Sequence, residues 1–182
     1  MLRSHPLPTI WLMTDARFGD DLLPAIKRLP SRSGVIFRHY HLDTQQRRAL
    51  FAQVLRICRR RGHILLLAGD EQTALRWHAD GFHQRNRGQT KLLHSAPVHS
   101  PREIARVKPS QPDLLFLSPL FATNSHAGAR PLGPFMFQRL ATLAGPKRVV
   151  ALGGVDRRKA SMLSPRAIHG WAAIDAFRKK TA

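Results

Sequence analysis

The sequence predicts a compact (β/α)8 TIM barrel, an α/β fold, that forms a single domain over residues 1–182. Eight short apolar runs, typical of buried parallel strands, alternate along the chain with longer segments of helical period. The chain is shorter than the ~200 to 250 residues usual for this fold, so we expect one connection to be reduced. An open doubly wound sheet is the alternative, although residues 14–19, after the first strand, lack the glycine fingerprint of a dinucleotide-binding fold.

Strand and helix candidates follow one another from the first apolar run to the last. The eight strand candidates are residues 10–14, 35–38, 64–68, 81–83, 92–94, 114–118, 149–152 and 168–173. The seven helix candidates are residues 21–29, 44–61, 71–78, 101–107, 134–144, 157–163 and 174–179. Residues 84–91, after strand four, have no apolar period and too little length for a crossover helix. We expect the shortened crossover there.

Two of these helices begin with recognisable capping residues. Ser100 can cap the helix that starts at Pro101, a favoured first helical residue, and Glu103 can complete a capping box. Asp43 and Gln46 can do the same for the longest helix.

The longest helix is amphipathic. Its apolar stripe consists of Leu50, Val54, Ile57 and Cys58. Its arginines lie mostly off that stripe and are expected to face solvent: Arg47, Arg56, Arg59 and Arg60. Cys58, the single cysteine, is therefore predicted to be a buried structural thiol, and it excludes an intrachain disulfide.

Charge is the strongest feature of the composition. Thirty Lys and Arg against 11 Asp and Glu give a net charge of +19, which attracts anions such as nucleic acid, diphosphate compounds and anionic lipid surfaces. No apolar run approaches the ~20 residues of a membrane span and no signal peptide is recognised, so a soluble cytoplasmic protein is expected. Nucleic-acid binding ranks below a small phosphorylated partner, because no binding module or aromatic stacking platform is recognised.

In a barrel, the residues after each strand converge on one mouth, where ligands bind. Here they are Asp15, Arg38, Asp70, His83, residues 118–133, Gly153 with Gly154, and Asp175. The glycine pair precedes a helix, so its amides could bind a phosphate; a simple tight turn is the alternative.

The long segment after strand six is polar and glycine-punctuated. In it, Thr123 and Ser125 could hydrogen-bond phosphate oxygens and His126 could add a proton or partial positive charge, whereas a merely solvated loop is the alternative. Asp70 could cap the following helix or bind Mg²⁺. The histidines show no zinc-binding spacing, so a zinc enzyme is rejected.

Several segments together resemble the thiamine phosphate synthase superfamily, which also contains thiazole tautomerase. They are WLMTD (11–15), FR (37–38), ADGFH (79–83), LSPLFATNSHAG (117–128) continuing to PLG (131–133), and ALGGV (151–155). The resemblance covers nearly the whole chain. It implies a (β/α)8 barrel in which Mg²⁺ helps to ionise a hydroxymethylpyrimidine diphosphate, a thiazole phosphate nitrogen attacks the carbocation, and diphosphate leaves.

The resemblance also implies roles for individual residues. By position, Arg38 and Asp70 would serve the diphosphate and its metal, while Thr123 and Ser125 would bind diphosphate or thiazole. Gly153 and Gly154 would hold the thiazole phosphate. We therefore predict catalytic roles for Arg38, Thr123, Ser125 and His126, a metal-binding role for Asp70, and substrate or phosphate binding by Asp15, Arg38, His83, Thr123, Ser125, Gly153 and Gly154.

The sequence departs from the family pattern around the expected diphosphate and metal. Gln and Lys, two residues before and after the arginine in the family, are Ile36 and Tyr40 here. Gly69 replaces the asparagine before the metal aspartate, and the second metal aspartate has no counterpart after His83. A further aspartate, Asp175, replaces a serine and would repel a phosphate unless a cation intervenes.

Two functions therefore follow from the resemblance. The first is a thiamine phosphate synthase, a diphosphate-releasing transferase, and the alternative is a thiazole tautomerase-like or non-catalytic homologue that binds a phosphorylated ligand. Magnesium-dependent release of diphosphate distinguishes the two.

Overall fold

The fold is a closed barrel of eight parallel strands, seen in a computed structural model that describes residues 6–123, 128, 130–145, 148–163, 166 and 168–179. The strands are β1 (Ile10–Met13), β2 (Gly34–Phe37), β3 (Ile64–Leu67), β4 (Gly81–His83), β5 (Leu93–Val98), β6 (Leu114–Leu117), β7 (Val149–Ala151) and β8 (Gly170–Ala173). Neighbours in sequence pair in order, and β8 pairs with β1. The predicted (β/α)8 barrel is confirmed.

Helices lie between most strands. They are α1 (Leu22–Arg28), α2 (Thr44–Arg61), α3 (Glu71–Arg76), α4 (Pro101–Val107), α5 (Gly133–Ala144) and α6 (Arg157–Ser161). Short 3₁₀ turns cover Ala16–Asp21, Lys108–Ser110 and Asp175–Phe177. None of the helices in the described ranges has the length and apolar character needed to cross a membrane.

The predicted helix caps are present. The Asp43 side chain accepts a hydrogen bond from the Gln46 amide at 2.8 Å, and Ser100 accepts one from the Glu103 amide at 3.3 Å. Glu103 reaches one residue further back than a capping box requires, because its carboxylate accepts the His99 amide at 2.7 Å.

Two large aromatic side chains, Trp11 and Phe116, pack together in the barrel. Trp11 is fully buried, donates its indole N–H to the Pro8 carbonyl at 2.7 Å, and meets Phe116 edge-on with ring centroids 5.5 Å apart. Gly34, the register partner of Trp11, leaves room for this ring, since a Cβ there would lie 2.1 Å from it. A second apolar layer packs the outer faces of β6 and β7 against α4 and α5.

The shortened crossover is confirmed. Residues 84–91 join β4 to β5 without a helix, and β5 still pairs in parallel with β4. Arg85 in this loop forms an ion pair with Glu103 of α4 at 2.8 Å, and the Thr90 hydroxyl hydrogen-bonds Glu71 of α3. Side chains of the neighbouring helices thus hold the loop in the place of a helix.

One predicted helix and several predicted boundaries differ from the structure. The helices expected at residues 71–78 and 157–163 end at Arg76 and Ser161. The helix expected at residues 174–179 is wrong, because only the 3₁₀ turn Asp175–Phe177 forms. Phe177 stacks on Trp171 of β8, and the Lys179 amide donates to Asp21 at 3.1 Å, which draws the chain towards α1. Strand β5 continues to Val98, beyond the predicted end at residue 94, and β8 begins at Gly170 instead of residue 168.

Candidate anion-binding site at the barrel mouth

A cavity of about 1180 Å³ opens at the carboxyl ends of the strands. Its lining includes Arg38, Thr123, Gly153, Gly154 and Asp175, which come from four different strand ends. It also continues along the outer side of β8, past Trp171 towards α1. The structure therefore brings most of the predicted phosphate-binding residues to one cavity.

Arg38 directly follows β2, and its side chain is partly exposed at the mouth. Its Nη1 lies 3.9 Å from Oδ2 of Asp15, which follows β1. Asp15 also accepts hydrogen bonds from the backbone and Nε of Arg17, at 3.2 and 2.7 Å. Partial burial would raise the pKa of Asp15, but these hydrogen bonds and the two guanidinium charges outweigh it and lower the pKa.

Asp175 follows β8, and its negative charge is countered by arginines. Arg17 Nη1 lies 2.9 Å and Arg178 Nη1 3.4 Å from Asp175 Oδ1. Arg17 thus bridges Asp15 and Asp175 across the junction of the first and last strands. A phosphate near Asp175 would be repelled unless a cation lies between them, and Arg17 and Arg178 supply that positive charge.

The glycine pair after β7 packs tightly against the chain that follows β6. A Cβ on Gly153 would lie 2.7 Å from Pro119 Cα, and one on Gly154 would lie 2.4 Å from the Ala122 carbonyl oxygen. The Phe121 amide donates to the Gly153 carbonyl at 3.0 Å. Close packing is therefore sufficient reason for both glycines, and phosphate binding by their amides stays a prediction. Within the described residues, neither of these amides has a hydrogen-bond acceptor.

The helix after the glycine pair adds positive charge to the cavity wall. Asp156 caps α6 by accepting the Lys159 amide at 2.8 Å. The Lys159 ammonium donates to the Gly154 carbonyl at 2.8 Å and lies 5.2 Å from the centre of the Phe121 ring. Arg157 and Arg158 line the same cavity. Three cationic residues therefore follow Asp156 at this part of the cavity wall.

Thr123 lines the cavity as predicted. Ser125 and His126, the other predicted residues of this segment, lie outside the described residues, so their roles stay predictions.

His83 lies in the barrel interior and does not line the cavity. Its Nδ1 is 2.8 Å from the Ser95 hydroxyl, and its ring meets Phe116 edge-on at 5.0 Å. Burial, with a smaller contribution from the Arg38 charge, lowers the pKa of His83 to about 3. The neutral imidazole of His83 therefore packs against Ser95 and Phe116. Its contact with a substrate stays a prediction.

Asp70 follows β3 and caps α3. Its two carboxylate oxygens accept the amide and hydroxyl of Thr73, both at 2.8 Å, and these hydrogen bonds lower the pKa of Asp70. No group of three or more His, Cys, Asp or Glu side chains gathers anywhere in the described ranges. Asp70 does not line the cavity, and magnesium binding by Asp70 stays a prediction.

Sequence reasoning missed three residues of this region: Thr14, Arg17 and Arg47. The prediction that Arg47 lies on a solvated helix face is wrong. Arg47 is half-buried, and its guanidinium donates to two carbonyl oxygens. It lies 5.2 Å from the Tyr40 ring. A positive charge is therefore present beside position 40, although the lysine of the family pattern is absent there.

The fold and the cavity define a class: a (β/α)8-barrel protein with a strongly cationic cavity at the carboxyl ends of its strands. The sequence profile of the thiamine monophosphate synthase family matches residues 13–177. The chain belongs to this family.

Individual relatives agree with this assignment. The chain is 24% identical over 183 residues to a putative thiamine-phosphate synthase 2 of Aquifex aeolicus (strain VF5), covering 94% of this chain and 98% of that protein. It is also 24% identical to a thiamine-phosphate synthase of Lysinibacillus sphaericus (strain C3-41), covering 96% of this chain and 82% of that protein. The structure of a thiamine phosphate pyrophosphorylase from Pyrococcus furiosus superposes with a TM-score of 0.76 at 19% identity, covering 96% of this chain and 89% of that one.

Proposed function

We propose that the protein binds a phosphorylated small molecule at the barrel mouth and acts as a thiamine phosphate synthase-type transferase. In this reaction a hydroxymethylpyrimidine diphosphate is joined to a thiazole phosphate, and diphosphate is released. The observation that carries the proposal is the single cavity that joins Arg38, Thr123, Gly153 and Gly154.

The reaction requires positive charge where the diphosphate leaves. The bond between the pyrimidine methylene carbon and the diphosphate oxygen breaks, and its electron pair stays on the diphosphate. The thiazole nitrogen lone pair then forms the new carbon–nitrogen bond. A guanidinium can bind two phosphate oxygens at once, so the role we propose for Arg38 is to bind the departing diphosphate.

The thiazole phosphate would bind on the other side of the cavity. The amides of Gly153 and Gly154 would donate to its oxygens, and the Thr123 hydroxyl would add a further hydrogen bond. The cations of α6 lower the energy of an anion at this wall. The apolar outer face of β8, with Trp171, offers a water-poor surface next to these groups.

The alternative proposal is a homologue that binds a phosphorylated ligand without diphosphate transfer. The observation that favours it is the engagement of both Asp70 oxygens in a helix cap, where the described part of the chain gathers no group of three or more His, Cys, Asp or Glu side chains. The chain's own cations would then provide binding, and the transfer would be absent.

One experiment separates these functions. The purified protein is incubated with hydroxymethylpyrimidine diphosphate and thiazole phosphate, with Mg²⁺ or with EDTA. ³¹P NMR follows diphosphate release, and mass spectrometry follows thiamine phosphate. Formation of both products supports the synthase, and calorimetric binding of either substrate without product supports the alternative. Absence of both binding and product would reject the two proposals together.

A further inference from the structure

The backbone of Arg38 is held from both sides by side chains of other elements. Its amide donates to the Thr14 hydroxyl at 2.8 Å, and its carbonyl accepts Nε of Arg47 at 2.9 Å. Thr14 directly follows β1, and Arg47 belongs to α2. The position of Arg38 beyond the end of β2 is therefore set by two side chains that lie outside its own strand.

The Thr14 hydroxyl makes a second hydrogen bond. Thr14 is fully buried, and its oxygen lies 2.9 Å from Nδ1 of His39. The hydroxyl can therefore hold the Arg38 amide and the His39 ring at the same time, because it has one proton and two acceptor lone pairs. Burial lowers the pKa of His39 to about 4, in agreement with a neutral ring.

The residue after Arg38 has a strained backbone. His39 has a φ of 39°, in the left-handed region that a residue with a side chain seldom adopts. It is buried, and its ring stacks on Phe37 with centroids 5.1 Å apart. Such strain persists only where surrounding contacts hold it, and the bond from Thr14 is one of those contacts.

Arg47 is held by carbonyl and aromatic groups. Besides Arg38, it donates to the Ala68 carbonyl after β3 at 2.7 Å, and its guanidinium lies 5.6 Å from the Trp77 ring centre. Among the described residues no carboxylate lies within 4.0 Å of it. These two hydrogen bonds tie the chain after β2 to the chain after β3.

We propose that Thr14 and Arg47 are positioning residues, which hold the backbone of residue 38 so that the Arg38 guanidinium projects into the cavity and binds a phosphate or diphosphate group. The inference rests on the proposed function. Neither Thr14 nor Arg47 lines the cavity, so each acts through Arg38. A guanidinium whose backbone is fixed beforehand loses less freedom on binding than a mobile one.

The test measures the affinity for inorganic diphosphate by isothermal titration calorimetry, in EDTA, for the full chain and its variants. We expect Arg38→Ala to weaken binding about tenfold or more, as the loss of a charge-assisted hydrogen bond predicts. Thr14→Val has nearly the shape of threonine without the hydroxyl, and should weaken binding about three- to tenfold. Thr14→Ser keeps the hydroxyl and should restore the affinity.

Matched substitutions elsewhere control for the change of residue type. Thr142→Val removes an exposed hydroxyl of α5 that hydrogen-bonds within its own helix, and should leave the affinity unchanged. On the other side of residue 38, Arg47→Met should weaken binding, whereas Arg56→Met, at an exposed position of α2, should have only a small effect. Urea denaturation checks that each variant is folded. If Thr14→Val does not fold, Arg47→Met still tests the inference.

The double variants decide whether the residues act through Arg38. In the Arg38→Ala background, Thr14→Val and Arg47→Met should cause no further loss of affinity. An equal loss in both backgrounds, or wild-type affinity of the folded single variants, would overturn the inference while leaving the proposed function intact. Absence of diphosphate binding by the wild-type protein would instead reject diphosphate as the ligand of Arg38, and with it this inference, whereas the proposed function fails only if the two substrates neither bind nor react.

Discussion

Replacement of Gly154 by alanine tests the packing between the segments that follow β6 and β7. The added Cβ would lie 2.4 Å from the Ala122 carbonyl oxygen and 2.9 Å from Phe121 Cβ, whereas real Cβ contacts essentially never fall below 3.0 Å. The segment after β6 must therefore move. Because Thr123 is the next residue after Ala122, we expect the movement to displace its hydroxyl from the cavity wall.

The expected loss of stability in Gly154→Ala has two parts, a backbone cost and a packing cost. Comparison with Gly133→Ala separates them. Gly154 has a φ of 62°, and an alanine in this left-handed region costs about 1 to 2 kcal/mol. Gly133 has a similar φ of 69°, but nothing lies within 4 Å of its Cβ position. Gly133→Ala should therefore show the backbone cost alone. Gly154→Ala should lose about 1 to 3 kcal/mol more through overpacking.

The assay is urea denaturation followed by circular dichroism, combined with diphosphate titration of each folded variant. The free energy of unfolding should fall more for Gly154→Ala than for Gly133→Ala, and the affinity should fall only for Gly154→Ala. Equal losses of stability in the two variants, with unchanged affinity in both, would refute the reasoning about the packed segments.

Three further predictions concern the barrel as a whole. Gly34→Ala should lower the free energy of unfolding in urea by about 1 to 3 kcal/mol or more, because the new Cβ would lie 2.1 Å from the buried Trp11 ring. The Cys58 thiol should not react with a disulfide reagent in the native protein at pH 8 and should react once urea unfolds the chain, because burial raises its pKa to about 12. Stability should decrease as the pH falls from about 6.5 towards 4, because burial lowers the pKa of His39 to about 4 and of His83 to about 3, so that the unfolded chain binds more protons over this interval.

Each of these three predictions has a control or a result that would contradict it. Gly88→Ala, in the open loop after β4, should change stability by less than about 0.5 kcal/mol. Rapid labelling of the native thiol would show that Cys58 is accessible. For the pH series, His83→Asn should reduce the slope between pH 6.5 and about 3, the interval in which only the unfolded chain carries the proton of this histidine. Asp15 and Asp70, whose pKa values are lowered, add to the slope at the acidic end in both proteins. An unchanged slope would contradict a neutral buried His83.

The barrel was predictable because its strands are nearly continuous apolar runs, separated by segments of helical period. The shortened crossover could be read from residues 84–91, whose polar composition leaves no apolar face. The helix predicted at residues 174–179 failed for a tertiary reason. Phe177 stacks on Trp171 where a helix would continue, and Asp175 is held by Arg17 and Arg178.

The site was predictable only in part. Strand ends in a barrel meet at one mouth, so Arg38, Thr123 and Gly153 could be placed together from the order of the strands alone. The partners of Arg38 could not be identified from the sequence, because the contact of Thr14 with residue 38 depends on the register between β1 and β2. Arg47 faces three aromatic rings that no local pattern connects to it.

The pairing of β8 with β1 also governs how this molecule can associate with others. A sheet with two ends offers unpaired amides and carbonyls, to which a strand of a second molecule can add. In this protein each of the eight described strands has a neighbour on both sides. A complex that leaves the barrel intact therefore cannot form by adding a strand to this sheet, and the +19 charge makes copies of the chain repel one another.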